Sequence, residues 1–268
     1  MSPPPSAAGP TWVLLRGLTR EARHWGPWPQ RLAAALPGAR VLTPDLPGNG
    51  RRWRETSPLR VEDMVEGLRA ELQAAGALAP YHLLAMSLGA MVAIAWADRH
   101  PRELAHCVLV NTSVRPFSPP WQRLRPASVP ALLRCLAGRA DAPRWERTIL
   151  RLTSRQFAPD GDAARALLQD WVRWRRQCPV SARNAWRQLV AAARFQAPAV
   201  RPAVPLRLLA GAGDQLVDPR CSRALAEAWG LPLHVHPAAG HDLPLDAPDW
   251  LERQLLGMLD HVGLDDLG

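Results

Sequence analysis

Three residues of this sequence, Ser87, Asp214 and His241, have the side chains of a nucleophile, an orienting acid and a proton-transfer base, and each stands among small residues. A serine hydroxyl is a weak nucleophile until an imidazole takes its proton, and the imidazole needs a carboxylate to fix its tautomer and stabilise its cation. Ser87 lies in Ala85-Met-Ser87-Leu-Gly89, Asp214 in Gly211-Ala-Gly-Asp214, and His241 in Gly240-His241-Asp242. Small residues two before and two after Ser87 suit a sharp strand-to-helix turn, a nucleophile elbow that pushes the hydroxyl outward. The first N–H groups of the following helix, starting with Leu88, would then face a developing negative charge. The plain alternatives are a serine capping a core helix, a turn-forming aspartate and an exposed loop histidine. Asp218 is a second candidate acid, although an aspartate before Pro219 more often caps a turn or helix. Asp242 stands too close to His241 in sequence to orient its ring easily, and His24, His100, His234 and His236 read as surface or structural.

Residues so far apart in sequence meet only if the intervening chain brings them to one edge. Short apolar runs at 11–15, 39–43, 81–86, 106–111, 205–210 and 231–236 predict six strands. Helical spacing at 25–36, 61–74, 88–97, about 220–229 and 248–262 supplies the helices between them. Strand–helix alternation means a mostly parallel sheet flanked by helices, and catalytic groups of such sheets collect at the carboxyl ends of the strands. The candidate serine follows the third strand, the aspartate the fifth and the histidine the sixth. From about 115 to 204 the character changes to proline clusters, many arginines, and Trp121, Trp145, Trp171, Trp174 and Trp186, with helical periodicity and no convincing strand. The expected plan is a disordered segment at 1–10, an α/β core of 11–114 and 205–268, and an inserted α-helical cap at 115–204. The cap tryptophans are expected to join its helices to one another, with some lining an acyl or aryl pocket.

A chain of 268 residues, 47% of them hydrophobic, can build one sizeable core and one catalytic unit. No run approaches twenty apolar residues, and the proline-rich start lacks the basic and apolar regions of a signal peptide, which predicts a soluble, cytoplasmic protein without stable membrane insertion. Cys107, Cys135, Cys178 and Cys221 are widely spaced and suggest neither a metal nor a redox centre. The net charge of +9 comes from arginine alone, because the sequence has no lysine. Its arginines are dispersed along helices without a nucleic-acid motif, so a nucleic-acid partner is not expected. Base composition of the coding sequence explains much of that arginine; a preference for anionic partners is the other reading.

These segments together resemble the α/β-hydrolase superfamily from Trp12 to about Leu259: the first strand and its Gly17 turn, Asp45-Leu-Pro-Gly48-Asn-Gly50, the elbow at Ser87, and the Asp214 and His241 segments. Within it, the layout is similar to compact carboxylesterases with a helical cap, such as those acting on acyl-carrier-protein methyl esters. The resemblance implies Ser87 as nucleophile, His241 as base and then acid, Asp214 as its carboxylate, and the backbone N–H groups of Leu18 and Leu88 as the oxyanion hole. It implies no cofactor and no metal. Two positions depart from the family, Arg16 for the usual histidine before Gly17 and Ala85 for a glycine, and the antiparallel edge hairpin before the first strand is expected to be absent. Arg16 either braces its loop or offers a fixed charge to an anionic substrate, and Arg16 and Trp25 are the expected substrate contacts. The expected partner is a small-molecule ester, in variants anionic or bound to an acidic carrier protein. Carbon–carbon bond hydrolysis or a lyase reaction on the same trio, and a catalytically retired binding protein, are the alternatives. Dehalogenase and epoxide-hydrolase chemistry needs a carboxylate where this chain has Ser87.

Overall fold

Side chains along β1 (Thr11–Leu15) alternate between two cores, Val13 and Leu15 on one face, Trp12 and Leu14 on the other. That is how a strand covered on both faces must read. The computed structural model describes residues 9–137, 141–157 and 161–265, with side chains described as far as Met258; most of the expected disordered start, residues 1–8, lies outside these. β2 (Arg40–Leu42), β3 (Tyr81–Met86), β4 (Leu104–Val110), β5 (Leu206–Gly211) and β6 (Leu233–His236) complete one six-stranded sheet in the order β2-β1-β3-β4-β5-β6. Every neighbouring pair is parallel, as the α/β reading requires. The strand order reverses between β1 and β3, which opens a crevice at their carboxyl ends.

The face of Val13 and Leu15 is covered by α2 (Val61–Ala74), α3 (Leu88–Arg99) and α9 (Arg220–Trp229). The opposite face is covered by α1 (Trp28–Ala35) and α11 (Pro248–Asp265). α2 presents Val61, Met64, Val65, Leu68 and Leu72 inward, one stripe of a 3.6-residue period. α3 has no polar side: Leu88 to Ala97 are all buried, so it is the helix at the centre of the molecule. The helix expected at 25–36 is shorter. Residues Ala22–Trp25 form a 3-10 turn, and Gly26 at φ 57 followed by Pro27 breaks the run before α1 begins.

Among the described residues, five α-helices stand between β4 and β5: α4 (Pro120–Arg123), α5 (Val129–Leu136), α6 (Ala142–Thr153), α7 (Asp162–Gln177) and α8 (Ala182–Arg194). Asp141 and Ser181 cap α6 and α8 by accepting the N–H groups of Arg144 and Asn184, at 2.9 and 3.0 Å. Two small cores hold these helices together, one around Trp145 and one around Trp171. Trp121 and Trp186, expected inside, are 64% and 53% exposed. α10 (Leu243–Asp246) closes the loop after β6 and meets the Trp171 core through Leu245. Among the described residues no helix is long and apolar enough to cross a membrane.

Candidate active site

Between the end of β3 at Met86 and the start of α3 at Leu88 one residue makes the whole reversal, and Ser87 does so at φ 56, ψ −117. Backbone of this kind costs a non-glycine residue about 1–3 kcal/mol and persists only where the surroundings hold it. Here the Ser87 N–H donates to the Val110 carbonyl at 2.9 Å, and its carbonyl accepts from Ala90 and Met91 at 3.0 and 3.2 Å. Two glycines make room. A Cβ on Gly89 would lie 2.6 Å from the Leu15 carbonyl oxygen, and one on Gly17 would lie 3.0 Å from the Ser87 Cβ. The loop after β1 therefore closes directly onto the elbow. Ala85 needs no such freedom: it lies within β3 opposite Leu15, with its methyl in the core. Leu88 opens α3, where N–H groups have no intrahelical acceptor, and Leu18 follows Gly17. Both line one cavity with Ser87.

His241 reaches the same cavity from the loop after β6, and its Nδ1 lies 2.6 Å from Asp214 Oδ2. Both side chains are buried, at 3% and 1% exposure. Asp214 is itself fixed, since its Oδ1 accepts the N–H groups of Leu216 and Val217 at 2.8 and 2.9 Å. Asp218 is occupied elsewhere: it accepts the Arg220 N–H at 3.0 Å and the Arg220 side chain at 2.7 Å, at the start of α9. Of the two candidate acids, Asp214 is the one that meets His241. With Nδ1 committed to a carboxylate, Nε2 is the ring nitrogen left for proton transfer.

Sequence reasoning missed the residues that hold this pair in place. Asn111, at φ 47 just past β4, donates to the carbonyls of Gly240 and His241 at 3.1 and 2.7 Å and accepts the Gly211 N–H at 2.9 Å. Asp246 accepts from Gly240 N at 2.7 Å and from Ser154 Oγ at 2.5 Å, joining the histidine loop to the end of α6. Asp242 donates its N–H to the Thr153 carbonyl at 2.7 Å. From the other end of the insertion, Arg125 and Ser128 donate to the carbonyls of Asp214 and Gln215 at 2.7 and 2.8 Å. In α8, Gln188 accepts the Thr19 N–H at 2.9 Å and donates to Asn49 at 2.8 Å. An asparagine just past a strand or a polar residue in a helix carries no local signal of such partners.

Arg16 grips Asp242 with both terminal nitrogens, Nη1 to Oδ1 at 3.1 Å and Nη2 to Oδ2 at 2.6 Å, and both side chains are buried. Its charge is matched inside the fold, so it braces the loop next to His241. Trp25, expected at the substrate, lies off the cavity lining: it is 2% exposed, packed in the core, with the Arg16 guanidinium 5.0 Å from its ring centre. Arg20 pairs with buried Glu146 of α6 at 2.5 Å, lies over Trp171 at 4.0 Å, and shares Glu146 with Arg175. The cavity encloses about 120 Å³ and is mostly apolar, with Met86, Met91, Ile149, Leu189, Leu216 and Val217 on its wall. Among the described residues no tryptophan stands on its lining, where some of the cap tryptophans were expected. Trp53 lies under Arg54, away from the cavity.

An all-parallel sheet with a strained serine after its central strand is the architecture of the α/β hydrolases, a class of enzymes. The chain belongs to the alpha/beta hydrolase family, whose sequence pattern it matches over residues 12–254. It is 30% identical over 230 residues to the pimeloyl-[acyl-carrier protein] methyl ester esterase of Aromatoleum aromaticum, covering 81% of this chain and 84% of that one. The fold is shared with the enol-lactonase of Burkholderia xenovorans (TM-score 0.75, 18% identity, 95% and 92% of the two chains). It is also shared with a thermophilic esterase of Thermogutta terrifontis (TM-score 0.69, 21% identity, 96% and 92%).

Proposed function

We propose that this chain is a serine carboxylesterase that works through an acyl-enzyme on Ser87. The observation that carries the reading is the buried His241–Asp214 pair at 2.6 Å opening onto the same cavity as the strained Ser87. Ser87 Oγ attacks the ester carbonyl while His241 Nε2 takes its proton; Asp214 holds the ring and stabilises the imidazolium. Charge gathers on the former carbonyl oxygen, where the N–H groups of Leu18 and Leu88 stabilise it. The C–O bond to the alcohol then breaks as His241 returns the proton to the leaving oxygen. Water, deprotonated by His241, attacks the acyl-serine and releases the acid. No cofactor takes part. Residues 115–204 act as a cap whose apolar side sets the size of the acyl group. The esterase relative supports an ester substrate, free or carried on an acyl-carrier protein.

Hydrolysis of p-nitrophenyl esters of increasing chain length, run beside Ser87→Ala, tests this. Turnover lost by at least about a thousandfold in the variant is expected, together with a Ser87-acyl adduct trapped by acid quench and found by mass spectrometry. Turnover that survives in Ser87→Ala refutes the nucleophile. Turnover of an activated ester without any trapped adduct at Ser87 points instead to proton-transfer chemistry of the lyase kind.

A further inference from the structure

Three arginines reach the cavity wall, and they are not equivalent. Arg16 and Arg20 are paired with Asp242 and Glu146. Arg123, the last residue of α4, has no ion pair among the described residues. Its Nη1 and Nη2 donate to the carbonyls of Ala193 and Ala192 in the last turn of α8, at 3.2 and 2.5 Å. Those bonds fill one edge of the guanidinium. On the other edge, Nε is buried and has no acceptor; Arg16 Nε and Arg20 Nη2 are likewise unmatched, so what sets Arg123 apart is the lack of a counter-ion beside that free edge. Burial pulls the Arg123 pKa down, and neighbouring Arg115 adds to the lowering. A half-buried guanidinium left without a counter-ion and with one buried N–H unmatched is unfavourable where most of the wall is apolar. A carboxylate is the ligand that removes both costs, since its two oxygens match the free edge side by side.

We infer that the ester cleaved here carries a carboxylate of its own, bound by Arg123 while the ester carbonyl sits at Ser87. This rests on the esterase reading above. Apolar side chains line most of the chamber, Leu189, Leu216 and Val217 among them, so the link between the two groups is a short hydrocarbon one. The substrate class is the half-ester: a dicarboxylic acid esterified at one end, or a simple acid esterified to a hydroxy acid. In either case hydrolysis replaces one ester with an acid and an alcohol, and the distal carboxylate passes through unchanged.

The test compares kcat/KM for monomethyl esters of straight-chain dicarboxylic acids with methyl esters of monocarboxylic acids of equal length. Acyl esters of glycolate and their neutral amides form a second pair. The expected result is a preference of about ten- to a hundredfold for the charged member of one pair, the size of a charge-assisted hydrogen bond. The pair that shows it tells whether the charge belongs to the acid or the alcohol half. In Arg123→Met the ratio of charged to neutral rates is expected to fall to about one, and Arg123→Lys to restore part of it. Because Arg123 also ties α4 to α8, wild-type enzyme gives an independent reading: free dicarboxylate monoesters should inhibit p-nitrophenyl acetate hydrolysis more than their neutral diesters. Ser87-dependent hydrolysis with no preference for either charged ester, or a preference that survives in a folded Arg123→Met, overturns the inference and leaves the esterase reading standing. Failure of all esters, charged and neutral, overturns the esterase reading itself.

Discussion

At the scale of single residues, each carboxylate around the histidine has its own partner. Asp214→Asn keeps an acceptor for Leu216 and Val217 but removes the charge facing His241, favouring the wrong ring tautomer. A fall in kcat of about a thousand- to ten-thousandfold is expected, measured on an activated ester. Asp218→Asn loses only its grip on Arg220 and should cost about 0.5–1 kcal/mol in urea unfolding with less than about a threefold change in kcat. Asp242→Asn leaves the buried Arg16 without its counter-ion, and about 3–5 kcal/mol of stability is expected to go. The candidate residues Ser87, Asp214 and His241 could be picked out of the sequence because each is announced by small neighbours and by its place after a strand. Asp242 was passed over because adjacency to His241 says nothing about a partner 226 residues earlier. The unusual Arg16 was the signal: an arginine at a buried loop position implies an acid somewhere nearby.

Among the elements, strands and core helices were readable because burial on two faces writes alternating or 3.6-residue patterns into them. The shortened α1 was missed because Trp25 and Leu36 keep helical spacing across a glycine that leaves the helix. The elbow depends on one close approach. Gly89→Ala would bring a methyl to 2.6 Å from the Leu15 carbonyl and 2.7 Å from that of Arg16, both backbone atoms that cannot rotate away. About 1–3 kcal/mol of destabilisation is expected. The loss of Ser87 labelling by a fluorophosphonate should exceed what that destabilisation explains, because the displaced loop carries Leu18. Labelling at the wild-type rate would show that the approach does not set the site.

Across the whole molecule, half-buried and buried histidines contribute a loss of stability in acid. His82 stacks on Trp12 and lies 5.6 Å from the His106 ring; burial, with His106 adding, pulls its pKa down to about 4. His24 and His106 are shifted in the same direction, chiefly by burial. Between about pH 6.5 and 4 the unfolded chain takes up protons that the folded one refuses. The stability that these histidines contribute is therefore full above about pH 6.5 and is lost as pH falls toward 4. His82→Phe, which keeps an aromatic ring beside Trp12, should make that loss smaller by about 1–2 kcal/mol in urea unfolding at pH 4.5 against pH 7. An unchanged slope would show that His82 does not contribute to it. The placement of the inserted helices was the least legible part of the molecule, since isolated polar bonds fix it and no repeating pattern records them. Those bonds make the insertion a poor exchangeable module. Arg125 and Ser128 hold the carbonyls of Asp214 and Gln215, while Thr153 and Ser154 hold the loop of His241 through Asp242 and Asp246. Grafting the corresponding segment of a relative would therefore change selectivity and turnover in the same stroke, and a shift in preference by recombination here would have to carry both seams along with the helices.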